Sequence, residues 1–139
     1  MSDLFDYLEL AKPMERSDVV FQNRKKPLDP YEPMWTLESA LAFIRDLDVE
    51  TRKVEWNTAL AGGVLLKGES YKDLDIVFYP MSVNEDSPDR NDLLMTLNAC
   101  GMRACKFADG KDAKPYNCEK DVEIWEDAIG RRVDIFILR

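Results

Sequence analysis

Hydrophobic positions along the chain follow two spacings. Within "LESALAFIRDL", Leu37, Leu41, Ile44 and Leu47 recur at helical intervals on one face, and Thr36 ahead of them has the side chain of an N-cap. The pattern then shortens. "WNTALAGG" predicts a strand that ends at the pair Gly62 and Gly63, and "LDIVFYP", rich in β-branched and aromatic residues, predicts a second strand stopped by Pro80. "RNDLLMTLNACG" returns to helical spacing and ends near Gly101. "MRACKF" predicts a third strand, and "VEIWEDAIGRRVDIFIL" predicts a β-hairpin with its turn around Asp127 to Gly130. "NEDSPDR" and "DGKDAKPYNCEKD" read as polar loops. The order helix, strand, strand, helix, strand, strand, strand predicts an α/β (α+β) domain, a mixed β-sheet with helices on one face.

Residues 1–34 read as an N-terminal extension and linker ahead of a domain over 35–139. "DLFDYLELA" places Leu4, Phe5 and Leu8 at helical spacing, with Pro13 as its end, and the prolines of "KPLDPYEP" predict an extended connector. The length of 139 residues suits one domain, and a hydrophobic share of 45% is enough to build a core. No apolar run approaches the length of a membrane span. The acidic start "MSDLFDYLEL" lacks a basic leader followed by an apolar stretch, so the expected location is cytoplasmic.

Charge and residue types narrow the chemistry. Lys and Arg number 19 against 27 Asp and Glu, a formal charge of −8. That balance argues against a surface that coats nucleic acid, which needs many basic contacts to phosphate. It leaves room for a local site gripping one phosphate-bearing ligand, and for carboxylates that hold cations. Histidine is absent, which excludes a His triad, a His general base and a His metal ligand. Cys100, Cys105 and Cys118 form no Cys-x-x-Cys pair and are expected to be ordinary reduced cysteines.

The stretch "GGVLLKGESYKDLDIVFYP" concentrates the remaining candidates. In a strand, Asp73 and Asp75 point to one face while Leu74, Ile76 and Phe78 point to the core. Two carboxylates side by side repel unless a cation lies between them, and oxygen ligands of this kind suit Mg²⁺ or Mn²⁺. Taken alone, the pair also fits two solvated acids at a strand end. Gly62 and Gly63 alone fit a plain turn. Joined to the acids at this spacing, they describe a turn holding a triphosphate beside carboxylates holding its metals. Asp134 is an acid inside the apolar run "RRVDIFIL", on the face shared by Phe136 and Leu138. Such an acid needs a partner: a metal shared with Asp73 and Asp75, or a basic side chain such as Arg131 or Lys106.

This order of residues resembles the nucleotidyltransferase superfamily of DNA polymerase β type, which includes CCA-adding enzymes and the minimal nucleotidyltransferases of toxin–antitoxin pairs. "GGVLLKGESYKDLDIV" is similar to the family pattern of Gly-Gly or Gly-Ser, a short helix, a glycine, then Asp-x-Asp in a strand. The likeness covers roughly residues 35–139. It implies that Gly62 and Gly63 contact the phosphates, that Asp73 and Asp75 bind both metals, and that Asp134 helps hold the catalytic metal and assists removal of the acceptor's proton. Many members carry Ser at the position of Gly63, and polar or basic residues where Val64, Leu65 and Leu66 stand. Lys67, Ser70 and Lys72 are the nearest replacements for nucleotide binding, and they also fit solvated loop residues.

The implied activity is transfer of a nucleoside monophosphate from an NTP, ATP included, to a hydroxyl on RNA, protein or a small molecule. The acceptor surface is expected from residues 1–34, from a second copy in a homo-oligomer, or from a helical partner protein. The alternative is a catalytically weak or inactive nucleotide-binding module, or an antitoxin- or inhibitor-type interaction protein.

Overall fold

Thr36 starts the first helix as its side chain dictates. Thr36 Oγ1 accepts the Ser39 N–H at 3.1 Å while Ser39 Oγ accepts the Thr36 N–H at 2.9 Å, a reciprocal cap. The computed structural model describes residues 19–24, 31–82, 88–114 and 122–138. Its strands are β1 (Val19–Val20), β2 (Trp35–Thr36), β3 (Trp56–Ala61), β4 (Glu69–Ser70), β5 (Leu74–Pro80), β6 (Arg103–Ala104), β7 (Lys106–Phe107), β8 (Val122–Glu126) and β9 (Arg132–Ile137). Its helices are α1 (Leu37–Thr51), α2 (Gly62–Lys67) and α3 (Arg90–Ala99), and a 3₁₀ turn over Arg52–Val54 follows α1.

Five strands form one mixed sheet in the order β3-β5-β9-β8-β6. Strands β5 and β9 run parallel, and every other neighbouring pair in this sheet is antiparallel. The period of two along β5 buries Leu74, Ile76 and Phe78, and the register sets Val133, Ile135 and Ile137 of β9 beside them. Ala40, Ile44 and Leu47 of α1 and Leu93 and Leu97 of α3 close this face into the main core. The α+β class and the mixed sheet are those the pattern predicts. On the other face, Val19, Cys105, Ala113 and Ile124 form a smaller cluster. No helix among the described residues is long and apolar enough to cross a membrane.

Two expectations are corrected by tertiary contact. The buried stripe of α1 is Ala40, Ile44, Leu47 and Thr51, whereas Leu37 and Leu41 are 39% and 45% exposed. Both stripes fit the helical period, and packing against the sheet selects the one bearing the small Ala40. The strand predicted at "MRACKF" is split at Cys105: β6 pairs with β8, and β7 with β1. Ala113 donates to the Cys105 carbonyl and accepts from the Ile124 N–H, so loop backbone enters where the ladder would continue.

Part of the extension is bound to the domain. Besides β1 on β7, Glu126 Oε1 accepts the Gln22 and Asn23 N–H groups at 3.0 and 2.8 Å. Burial raises the Glu126 pKa, and its Oε2 is buried without a hydrogen-bond partner among the described residues. Gly130, at φ +89°, lies so close to this segment that a Cβ would sit 2.5 Å from the Arg24 nitrogen. At the far edge of the sheet, Asp48 Oδ1 accepts the outward Thr58 N–H of β3 at 3.0 Å. The helix predicted at "DLFDYLELA", residues 26–30 of the proline connector, residues 84–87 and 115–121 of the two loops, and Cys118 lie outside the described residues.

Leu97 is fully buried between α3 and the sheet, whereas Met95 on the same helix is 69% exposed. Leu97→Ala is expected to lower unfolding free energy by about 2–5 kcal/mol. Met95→Ala is expected to change it by no more than about 0.5 kcal/mol. Urea denaturation of both variants checks the pair.

Candidate metal centre

The site follows from strand register. Asp73 immediately precedes β5, Asp75 is its second residue, and Asp75 pairs directly with Asp134 across the parallel β5–β9 ladder. Alternation sends Asp73 and Asp75 away from the core that takes Leu74, and sends Asp134 away from the core that takes Val133 and Ile135. Each acid offers one oxygen, and these atoms lie within 4.8 Å of one another. Asp134 is buried at 4% exposure, while Asp73 and Asp75 are half-buried. The three acids expected to converge do so.

The glycine pair lies against them. Ala61, the last residue of β3, pairs with Asp75, so the chain leaves β3 directly beside that carboxylate. Gly62 has φ +69°, and a Cβ there would overlap the Asp75 carboxylate. Only glycine meets both demands. The Gly63 N–H donates to Asp75, and a Cβ built on Gly63 meets nothing within 4 Å. Ser70 serves the site through the backbone: its hydroxyl accepts the Lys72 and Asp73 N–H groups at 3.2 and 3.1 Å and fixes the turn into β5. Lys67 closes α2 and Lys72 lies in the turn after β4, and both are exposed.

Arg132 is the residue that sequence reasoning missed. Its Nε and Nη2 donate to the two oxygens of Asp134 at 2.8 and 3.0 Å, and its Nε lies 3.9 Å from Asp73 Oδ2. The side chains of Arg132 and Asp134 are only 4% and 6% exposed. The basic partner of Asp134 is therefore Arg132, not Arg131 or Lys106. Residues two apart in a strand share a face, which brings Arg132 to Asp134. Arg131 precedes the strand and pairs instead with Asp127 at 2.7 Å, while Lys106 pairs with Asp112 at 3.2 Å. The Arg132-x-Asp134 spacing in a predicted strand was the available signal.

One guanidinium does not balance three carboxylates. Asp75 carries the consequence: burial, then the charges of Asp73 and Asp134, push its pKa up to about 7, against the opposing pull of Arg132 and the Gly63 N–H. A hard divalent cation would relieve this repulsion. The donor set, all carboxylate oxygen and close enough to share an ion, fits Mg²⁺ or Mn²⁺. Among the described residues no cysteine joins this donor set. The Cys105 thiol is pushed up to about 12 by burial and stays protonated, and burial also raises Cys100. In comparison with known proteins, no protein-family model and no curated protein matches this chain.

Gly62→Ala is expected to destabilise the fold by at least about 1–2 kcal/mol, the cost of left-handed backbone alone, with Gly63→Ala much milder; thermal melts compare them. A pH dependence follows from Asp75. Its folded pKa of about 7 stands above the usual 3.8. Protonation therefore favours folding: this contribution is complete below pH 3.8 and is lost as pH rises through 7. In metal-free protein, Asp75→Asn is expected to gain stability relative to wild type on going from pH 5 to pH 8. Denaturation at both pH values checks this, and a constant difference contradicts it.

Proposed function

We propose that this protein is a metal-dependent nucleotidyltransferase that moves a nucleoside monophosphate from an NTP to a hydroxyl acceptor. The observation that carries this reading is the convergence of Asp73, Asp75 and Asp134 on one face of the sheet, with Gly62 and Gly63 packed against Asp75. Asp73 and Asp75 would hold Mg²⁺ or Mn²⁺, and Asp134 would complete the ligand set. Such ions lower the pKa of an acceptor hydroxyl and neutralise phosphate charge in an in-line displacement. The acceptor oxygen bonds to the α-phosphorus, the bond to the bridging oxygen breaks, and pyrophosphate leaves. Because both Asp134 oxygens already accept from a guanidinium, we assign it positioning of an ion rather than proton removal.

The open space at Gly63 suits close approach of a phosphate, and exposed Lys67 and Lys72 supply nearby positive charge on the proposed nucleotide side. RNA, protein or a small molecule would be the acceptor, and a second copy or a helical partner would complete the acceptor surface. A cytoplasmic location agrees with this reading. The second reading is a nucleotide-binding module without transfer, or an antitoxin- or inhibitor-type protein. One observation favours it: the buried fork of Arg132 on Asp134 already satisfies the third acid.

Labelled NTPs incubated with the protein, Mg²⁺ or Mn²⁺, and total cell RNA and protein test the two readings. Label transfer is expected, falling on the order of 100-fold or more in folded Asp73→Asn and Asp75→Asn variants. Metal-dependent NTP binding without transfer to any acceptor would select the second reading. The transferase and a metal-dependent nucleotide-binding module both predict that Mn²⁺ raises the melting temperature, the added stability being about 2.7 kcal/mol at a hundred times its dissociation constant.

A further inference from the structure

We infer that Arg132 is an internal counter-cation standing in for one metal ion, so that the nucleotide-free protein takes a single divalent ion, held by Asp73 and Asp75. The inference rests on the metal reading above and specifies its stoichiometry and the role of each acid before nucleotide arrives.

The fork is built into the fold. The Arg132 carbonyl accepts from Trp35 Nε1 at 3.0 Å, and its N–H donates to Met34 Sδ at 3.3 Å. Arg132 pairs with Glu126 of β8 on one side and has no partner in β5 on the other, where the register begins at Val133, and these two bonds add to the hold on its backbone. The guanidinium of Arg131 stacks on Trp35 at 3.8 Å and braces the same ring. Arg132 thus presents its fork to Asp134 from a fixed backbone, at 2.8 and 3.0 Å. A guanidinium keeps its charge at every accessible pH, so no proton loss frees Asp134.

Charge gives the stoichiometry. With an ion bound and all three carboxylates ionised, the acids and the one guanidinium leave two negative charges, which a single divalent ion neutralises. A second ion would leave the pocket net positive, or would have to expel a guanidinium that is 4% exposed. A triphosphate brings the negative charge that a second ion needs, so that ion enters with the nucleotide.

Titration with Mn²⁺, counting free ion by electron paramagnetic resonance, tests this on the full chain without nucleotide. Wild type is expected to bind one ion. Asp134→Asn removes the carboxylate charge that faces the Arg132 fork, so the guanidinium charge bears more strongly on Asp73, 3.9 Å from its Nε. The variant's affinity is expected to fall roughly tenfold, one nearby like charge being worth about one pKa-scale unit. The double variant Arg132→Met/Asp134→Asn replaces the buried pair with neutral groups, which preserves folding, and is expected to regain wild-type affinity within about threefold. Two ions on wild type, or a double variant as weak as Asp134→Asn alone, would overturn the inference and leave the metal reading standing. No ion on wild type would overturn the metal reading and the inference together.

Discussion

The parallel register between β5 and β9 is the constraint on which the rest depends. It sets Asp75 opposite Asp134, and a slip of one residue would turn Asp134 into the core and Val133 out of it. Apolar packing forbids that slip. Leu74 beside Val133, Ile76 beside Ile135 and Phe78 beside Ile137 all belong to the buried core. The Leu138 N–H continues the ladder onto the Phe78 carbonyl at 2.9 Å. The hydrophobic face of the sheet therefore determines the spacing of charges on the opposite face, and the acid cluster inherits its geometry from the core.

That geometry stores repulsion. Three acids share a small volume with one buried base, and the raised pKa of Asp75 records the imbalance. Arg132 limits it without removing it. Removing one member of a buried pair costs about 3–5 kcal/mol, so Arg132 and Asp134 are bound to each other structurally as well as electrostatically. Gly62 adds a second local demand, a left-handed backbone pressed against a carboxylate. Local rules are broken here and kept in the core, as expected where a fold carries a function.

The strand that follows Asp73 and contains Asp75, the hairpin that carries Asp134, and both longer helices were legible in the sequence because each is specified by near neighbours. Period-two alternation in "LDIVF", the Thr36 cap and the turn at Gly130 are local signals. The choice between two stripes on α1 was not legible, since Leu37 and Ala40 fit the helical period equally and only the sheet distinguishes them. The break at Cys105 depends on Ala113, a residue in a loop with no pattern of its own. Arg132 was half legible: its spacing from Asp134 was visible, but the bonds that Met34 and Trp35 make to its backbone come from distant chain. The bond of Glu126 to Gln22 and Asn23 is likewise a long-range fact. What sequence carried was the identity of the acids; what it lacked was the company they keep.

The contact between Asp48 and Thr58 bears on how this molecule behaves among its own copies. β3 is the outermost strand on its side, and a carboxylate already occupies one of the amides a foreign chain would use for docking. The opposite border is β6, only two residues long. Among the described residues, a strand arriving at this sheet thus meets a blocked amide on one margin and a two-residue template on the other, both of which work against edge-to-edge pairing.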